Sequence, residues 1–144
     1  MSNFLANLVK FLRRKFTIFS YFKIISTFNF QIRFFPQFVR NAGKCRRLHG
    51  HSWLGRIYVK SNHLQCQGSQ QGMVMDFGEI KQYLQPLLDN FLDHHYLNET
   101  TGLENPTSEE LSRWIYEKLA KAGLPNLHAV EICETCTSGC TYYP

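Results

Sequence analysis

The stretch from Leu48 to Ser61 alternates between apolar and polar side chains. One parity carries His49, His51, Trp53, Ile57 and Val59, and the other carries Arg56, Tyr58 and Lys60. Successive side chains of a strand point to opposite faces, so the pattern predicts a strand with one buried and one solvent-facing side. Such a strand requires a covering layer on one face only, which is typical of an antiparallel sheet with helices packed against it.

Two helices are predicted downstream of this strand. The first begins at Asp76, which has an acidic residue three positions later, as in a capping box. Apolar residues then follow at helical spacing, although Pro86 is expected to kink or divide the helix. The second helix is capped by Thr107 with Glu110 and stopped by Gly123.

Two further strands are predicted, one on each side of these elements. Residues 28–39 carry alternating aromatic side chains, interrupted by Pro36, and residues 127–135 form the last strand. A fourth strand is expected either in a short hairpin with residues 136–143 or in the front segment. The order strand, strand, helix, helix, strand predicts an α+β fold in which two helices pack on one face of an antiparallel sheet.

Charge is distributed unevenly along the 144 residues. Residues 1–75 hold 12 of the 16 Lys and Arg, all 11 acidic residues lie from Asp76 onward, and ten of the 12 Phe lie in residues 1–40. A basic half is typical of nucleic-acid or membrane-surface binding. The alternatives are a charge imbalance within one fold or oligomer, and an A/T-rich stretch read in a non-native frame. We interpret residues 1–27 as a basic, Phe-rich leader and residues 28–144 as a single domain.

The cysteines and the apolar runs bear on the compartment. Five Cys, an odd number, without a convincing export signal favour a reducing cytoplasm over a disulfide framework. Basic residues interrupt the apolar runs of the front segment, so neither a transmembrane helix nor a signal peptide is predicted. Neither a nucleic-acid nor a membrane partner is expected.

Two histidines of the alternating strand, His49 and His51, share its buried face. Residues i and i+2 of a strand stand about 7 Å apart, a spacing that suits two ligands of one metal ion. Nitrogen donors favour zinc, whose catalytic sites keep one coordination position open. The alternative is a pair of hydrogen-bonded core histidines.

Other positions carry candidate chemistry. Cys45 lies beside basic residues, which favour the thiolate, so it is either a base or nucleophile or a structural loop cysteine. Asp93 and His94 form either a proton relay or a polar helix end. Glu134 falls on the apolar parity of the last strand, where a carboxylate needs a basic partner or the N–H donors of a ligand. A weaker metal-site candidate, against ordinary packing, is the set Cys133, Cys136 and Cys140.

Four segments that carry these residues resemble one enzyme family. They are KCRRLHGHSW (44–53), GMVMDFGEIK (72–81), LDHHYLNETTGLENPTSEELSRWIYEKL (92–119) and ETCTSGC (134–140). Their sequence and spacing are similar to those of the bacterial 6-carboxy-5,6,7,8-tetrahydropterin synthases, a branch of the 6-pyruvoyl-tetrahydropterin synthase superfamily. The resemblance covers residues 43–144.

The resemblance implies a fold, a reaction and residue roles. The fold is the tunnelling fold, whose subunits assemble into trimers and then into a homohexamer. The reaction is the zinc-dependent conversion of 7,8-dihydroneopterin triphosphate to 6-carboxytetrahydropterin, acetaldehyde and triphosphate, in queuosine biosynthesis. The implied site consists of a base, a relay pair, two pterin contacts and two zinc ligands: Cys45; Asp93 and His94; Glu134 and Thr107; His49 and His51.

One departure from the family pattern concerns zinc. The family takes a third zinc-binding His from a first-strand motif like F-x-A-A-H-x-L-P, where this chain has FQIRFFP over residues 30–36. Arg33 or Phe34 stands nearest that position, and neither side chain offers zinc a lone pair. The chain is therefore expected to bind zinc poorly. The alternatives are a 6-pyruvoyl-tetrahydropterin synthase and a non-catalytic pterin-binding homologue.

Overall fold

The structure, a computed structural model, describes residues 21–34 and 49–144, and of residues 32–34 and 49 it describes only the backbone. Five strands, three α-helices and one π-helical turn lie within these residues. Their order is β1 (Phe22–Phe34), β2 (His49–Ser61), α1 (Phe77–Leu87), the π-helical turn (Leu88–Leu92), β3 (His95–Tyr96), α2 (Leu97–Thr101), α3 (Ser108–Lys121), β4 (Leu127–Cys133) and β5 (Gly139–Tyr142).

The strands form one sheet in the order β3-β1-β2-β4-β5. All neighbouring pairs are antiparallel except β1 and β3, which run parallel over two residues. The prediction of an antiparallel sheet is therefore confirmed. The fourth predicted strand is β5, which forms a hairpin with β4, one of the two positions expected for it. β3 was not predicted, because two residues are too few to show an alternating pattern.

The first strand begins earlier than predicted. It starts at Phe22 and runs without a break through the expected boundary between residues 27 and 28. Its full length pairs with β2, from Phe22 opposite Ser61 to Phe34 opposite His49. The predicted strand over residues 28–39 therefore starts too late, because the polar Ser26 is buried and the apolar Ile25 is exposed, so residues 22–27 lack a clear apolar–polar alternation. Residues 35–39 lie outside the described part.

The helix signals in the sequence are confirmed. The carboxylate of Asp76 accepts a hydrogen bond from the Gly78 N–H at 2.6 Å, and the hydroxyl of Thr107 accepts one from the Glu110 N–H at 3.3 Å. Pro86 lies in the last turn of α1, which then passes into the π-helical turn, so the predicted division falls there.

The core lies between one face of the sheet and the helices α1 and α3. Phe28 and Phe30 of β1 and Trp53 and Ile57 of β2 point to this side and are buried. The helices contribute a matching apolar set, with Ile80, Leu84, Leu87, Leu111, Ile115 and Leu119. Two helices thus cover one face of the sheet, as predicted, and in the described residues its other face has no covering layer. Among these residues, no helix is long and apolar enough to cross a membrane.

Candidate active site

The candidate residues that the structure describes gather at one end of the sheet, where β1 ends and β2 begins. The register places Ile32 of β1 between His51 of β2 and His95 of β3. β4 ends at Cys133, close to the same row, so Glu134 follows at this end as well. The sheet therefore assembles side chains that lie far apart in the sequence.

His51 and Glu134 meet at this end of the sheet. The His51 Nε2 atom lies 3.2 Å from a Glu134 carboxylate oxygen, and the two side chains are 23% and 40% exposed. Glu134 keeps the predicted parity, because its side chain meets His51 on the helix-covered face, but it stands just beyond the end of the last strand. β4 ends one residue before it, and the Glu134 N–H donates instead to the Ser138 carbonyl of the hairpin turn at 3.1 Å. The carboxylate is therefore accessible to a small molecule.

Asp93 and His94 form a contact that the sequence left open. The His94 Nδ1 atom lies 3.0 Å from the Asp93 carboxylate, and the imidazole is largely exposed. The same carboxylate accepts a hydrogen bond from the Gln31 N–H of β1 at 2.9 Å, while the His94 N–H donates to the Gln31 carbonyl. The Gln31 N–H and, to a smaller extent, the His94 ring hold the pKa of Asp93 below its usual value. An anionic Asp93 can fix the tautomer of His94 and stabilise its cation.

Thr107 lies near the same end, where its hydroxyl caps α3 and its N–H donates to the Asn105 carbonyl at 2.8 Å. Ser112 approaches Cys140 at 3.9 Å between Oγ and Sγ, and the ring of Tyr116 stands 5.4 Å from that of Tyr142. α3 therefore runs along β5 with its N-terminus towards the hairpin turn that holds Glu134. A cavity of about 310 Å³ opens beside this terminus, lined by Gly102, Leu103, Glu104, Asn105 and Glu110. A pterin contact of Thr107 stays a prediction.

The side chains of two candidate residues lie outside the described part of the structure. Cys45 lies outside the described residues, and only the backbone of His49 is described. The backbone nevertheless places His49 two residues before His51 in β2, on the same face of the sheet. The predicted spacing of this histidine pair is therefore present.

The register of β1 against β2 shows which positions of β1 stand beside the histidine pair. Position 34 stands opposite His49 and position 32 opposite His51, and directly opposite residues share a face of the sheet. Arg33 stands opposite Gly50 and so lies on the other face. Phe34 and Ile32 have no lone-pair donor, and among the described residues no three His, Cys, Asp or Glu side chains form a metal-binding group. In this register β1 therefore adds no third zinc ligand to His49 and His51.

The cysteine cluster does not form a site in the described part of the chain. Cys140 stands opposite Ile132 and approaches Ser112 on the helix-covered face, whereas Cys133 approaches the Arg56 guanidinium at 3.5 Å on the uncovered face. Cys136 lies exposed in the turn between β4 and β5. Because the strands separate Cys133 from Cys140, the three thiols cannot share one metal ion in this arrangement.

Sequence reasoning missed the role of Gln31. Its backbone N–H binds the Asp93 carboxylate and its carbonyl accepts from the His94 N–H, although these residues lie 62 and 63 positions further along the sequence. No local signal could have indicated this, because backbone groups are the same at every residue and only the position of β3 beside β1 brings them together.

The chain is similar to several characterised proteins. The sequence profile of the family described as 6-pyruvoyl tetrahydropterin synthase matches residues 23–144. A 6-carboxy-5,6,7,8-tetrahydropterin synthase of Synechocystis is 56% identical over 107 residues, which cover 74% of this chain and 83% of the relative. One of Haemophilus influenzae is 25% identical over 141 residues, covering 84% and 98%. The structure of the 6-pyruvoyl tetrahydropterin synthase of Caenorhabditis elegans aligns with a TM-score of 0.74 at 21% identity, covering 87% of this chain and 96% of that one.

Proposed function

The chain belongs to the 6-pyruvoyl tetrahydropterin synthase family, and on that premise we propose that it is a 6-carboxy-5,6,7,8-tetrahydropterin synthase. The substrate is 7,8-dihydroneopterin triphosphate. With one molecule of water, it yields 6-carboxy-5,6,7,8-tetrahydropterin, acetaldehyde and triphosphate. The observation that carries the proposal is the gathering of the Asp93–His94 pair and the His51–Glu134 pair at one end of the sheet.

The proposed mechanism divides binding and proton transfer among different residues. Glu134 accepts hydrogen bonds from the N–H edge of the pterin, for which its exposed carboxylate is suited. The Cys45 thiolate removes a proton from the side-chain carbon next to the ring. His94, held by Asp93, passes protons to and from the side-chain oxygens as the carbon–carbon bond breaks.

Zinc is the metal that we propose for this site, with His49 and His51 as its ligands. When bound, it would act as a Lewis acid on the substrate hydroxyls. A catalytic zinc normally has three protein ligands, and the described residues of β1 add no donor to these two. We therefore propose that this chain holds zinc weakly, and we assign no step of the mechanism to the metal.

The assembly, pathway and compartment are proposed from the same premise. Within residues 21–34 and 49–144, the sheet of one chain has two open edges, at β3 and β5, and one uncovered face. Pairing of these edges between copies would close a barrel, as in a trimer, and two trimers would form a homohexamer. Queuosine biosynthesis in the cytoplasm is the setting that we propose, and the odd number of Cys suits a reducing compartment.

Product analysis tests the proposed reaction. The full chain is incubated with 7,8-dihydroneopterin triphosphate and zinc, and acetaldehyde and the pterin products are measured. Acetaldehyde with a carboxylated pterin is expected. A 6-pyruvoyl product without acetaldehyde would identify the second candidate, a 6-pyruvoyl-tetrahydropterin synthase of the same family. The absence of any turnover would leave a pterin-binding homologue.

Substitution of Cys45 tests its proposed role as the catalytic base. We expect Cys45→Ala to lower kcat by at least about 100-fold, because general acid–base catalysis contributes this much, while pterin binding is retained. Cys66→Ala is the matched control, since Cys66 is an exposed free thiol in the loop after β2. Near-wild-type turnover of Cys45→Ala would exclude Cys45 as the base.

A further inference from the structure

The uncovered face of the sheet carries a cluster of basic and aromatic side chains, which we call the basic–aromatic face. Its members come from β2, from β4, from β1 with the residue before it, and from the residue after β5. They are Tyr21, Lys23, Tyr58, Lys60, His128 and Tyr143. Lys23 and Lys60 stand directly opposite each other in the β1–β2 pair, so their side chains share this face. The cluster lies at the other end of the sheet from the candidate active site.

Each lysine ammonium of this cluster stands over the ring of one tyrosine. The Lys60 ammonium stands 3.9 Å from the centre of the Tyr21 ring, and the Lys23 ammonium stands 5.2 Å from that of Tyr58. The His128 ring lies 5.5 Å from the ring of Tyr143. Tyr21 and Tyr143 are 51% and 60% exposed, so the outer part of the face is open to a ligand.

The positive charges of this face are not balanced by nearby acids within the described part of the chain. Lys23 and Lys60 lie beyond 4 Å from every carboxylate there. Glu131, which lies on the same face, is bound by the Arg56 guanidinium at 3.0 Å and by the Tyr58 hydroxyl.

Like charges therefore accumulate at this end of the sheet. Burial and then the charges of Lys60 and Lys23 lower the pKa of His128, as expected for a base in a positive field. Opposed like charges in an antiparallel pair destabilise the sheet. An anion between the two lysines would remove this repulsion.

We propose that the basic–aromatic face binds a linear triphosphate, either free or as the end group of a larger molecule. Lysine is a flexible point charge that suits phosphate oxygens. Two ammonium groups on one face, spread along the strands over the Tyr58 and Tyr21 rings, present two cationic donors to one extended polyanion, and the neutral His128 imidazole can add an N–H donor. The choice of triphosphate rests on the proposed function, which releases triphosphate. Because the helices cover the opposite face, closure of a barrel through the strand edges would turn this face towards the barrel interior, where the same face of each copy would line one channel.

Calorimetric titration of the full chain in phosphate-free buffer tests this inference. Inorganic triphosphate and ATP are the two probes, so that free triphosphate is compared with triphosphate carried by an aromatic base. We expect saturable binding of inorganic triphosphate, at one site per chain. The double variant K23Q/K60Q should lose about tenfold to a hundredfold in affinity or more, as expected from the loss of charge-assisted hydrogen bonds. Tighter binding of ATP would indicate that the tyrosine rings contribute stacking.

The matched control is K81Q/K121Q, which removes the same charge from exposed positions on α1 and α3. It should bind triphosphate like the unaltered chain, and K23R/K60R should restore binding to the face. Absence of triphosphate binding, or equal losses in K23Q/K60Q and in K81Q/K121Q, would overturn the inference. Binding does not require turnover, so a chain that binds triphosphate without lyase activity would refute only the proposed function.

Discussion

Replacing Phe34 by His should increase the affinity of the chain for zinc. Position 34 stands opposite His49 in the β1–β2 pair, so a His there shares a face with His49 and His51. Directly opposite residues have Cβ atoms about 4.5–5.5 Å apart, and His49 and His51 lie about 7 Å apart along the strand. Imidazoles at these three positions can converge on one ion, with one coordination position left for substrate.

The size of the effect follows from the number of ligands. Structural zinc sites with four protein ligands bind with about 10–16 kcal/mol, so one ligand accounts for roughly 2.5–4 kcal/mol. Since 1.4 kcal/mol corresponds to a factor of ten, Phe34→His should raise zinc affinity by about 60- to 700-fold. Competition with a chromophoric chelator measures the affinity, and elemental analysis after dialysis measures the zinc retained. Lyase activity should rise together with zinc content.

Arg33→His is the matched control, because position 33 stands opposite Gly50 and lies on the other face. It adds the same imidazole one residue away and should leave zinc affinity unchanged. An equal gain from Arg33→His would show that the register is not the one described. One tightly held zinc per unaltered chain, with lyase activity, would show that the site is complete without a His in β1.

Three further substitutions test other parts of the structure. Glu134→Gln should weaken pterin binding by about 1.5–3 kcal/mol, the contribution of a charge-assisted hydrogen bond, and unchanged affinity by calorimetry would reject the anchoring role. Asp93→Asn should reduce turnover by more than about tenfold. Because the folded-state pKa of Asp93 is lowered, its carboxylate stabilises the fold above about pH 4 and loses this contribution as pH falls through the lowered pKa, so acid denaturation of Asp93→Asn should be less steep. Gly55→Ala should destabilise the fold by about 1–3 kcal/mol, because the added Cβ would overlap the Phe28 ring. Urea denaturation measures this loss, which Phe28→Leu in the same chain should reduce.

The sequence by itself determined the elements whose signals are local. A cap such as Asp76 or Thr107 acts on N–H groups two or three residues away, so the pattern that predicts the helix is also the cause of its start. The alternation around Trp53 likewise identifies the covered face of β2, because successive side chains of any strand alternate. The His49–His51 pair, the helix-covered sheet and the family resemblance all follow from such short-range patterns.

Only the tertiary structure decided which residues meet across strands. Alternation groups the residues of one strand by face, but it leaves open which residue of the neighbouring strand stands opposite, and a slip of one residue exchanges the faces. Only the pairing of β1 with β2 therefore shows that position 34, and not position 33, lies on the face of the histidine pair. Two other contacts depend on strand pairing in the same way. His51 meets Glu134, which lies 83 residues away in sequence, and the Gln31 N–H binds Asp93, which lies 62 residues away.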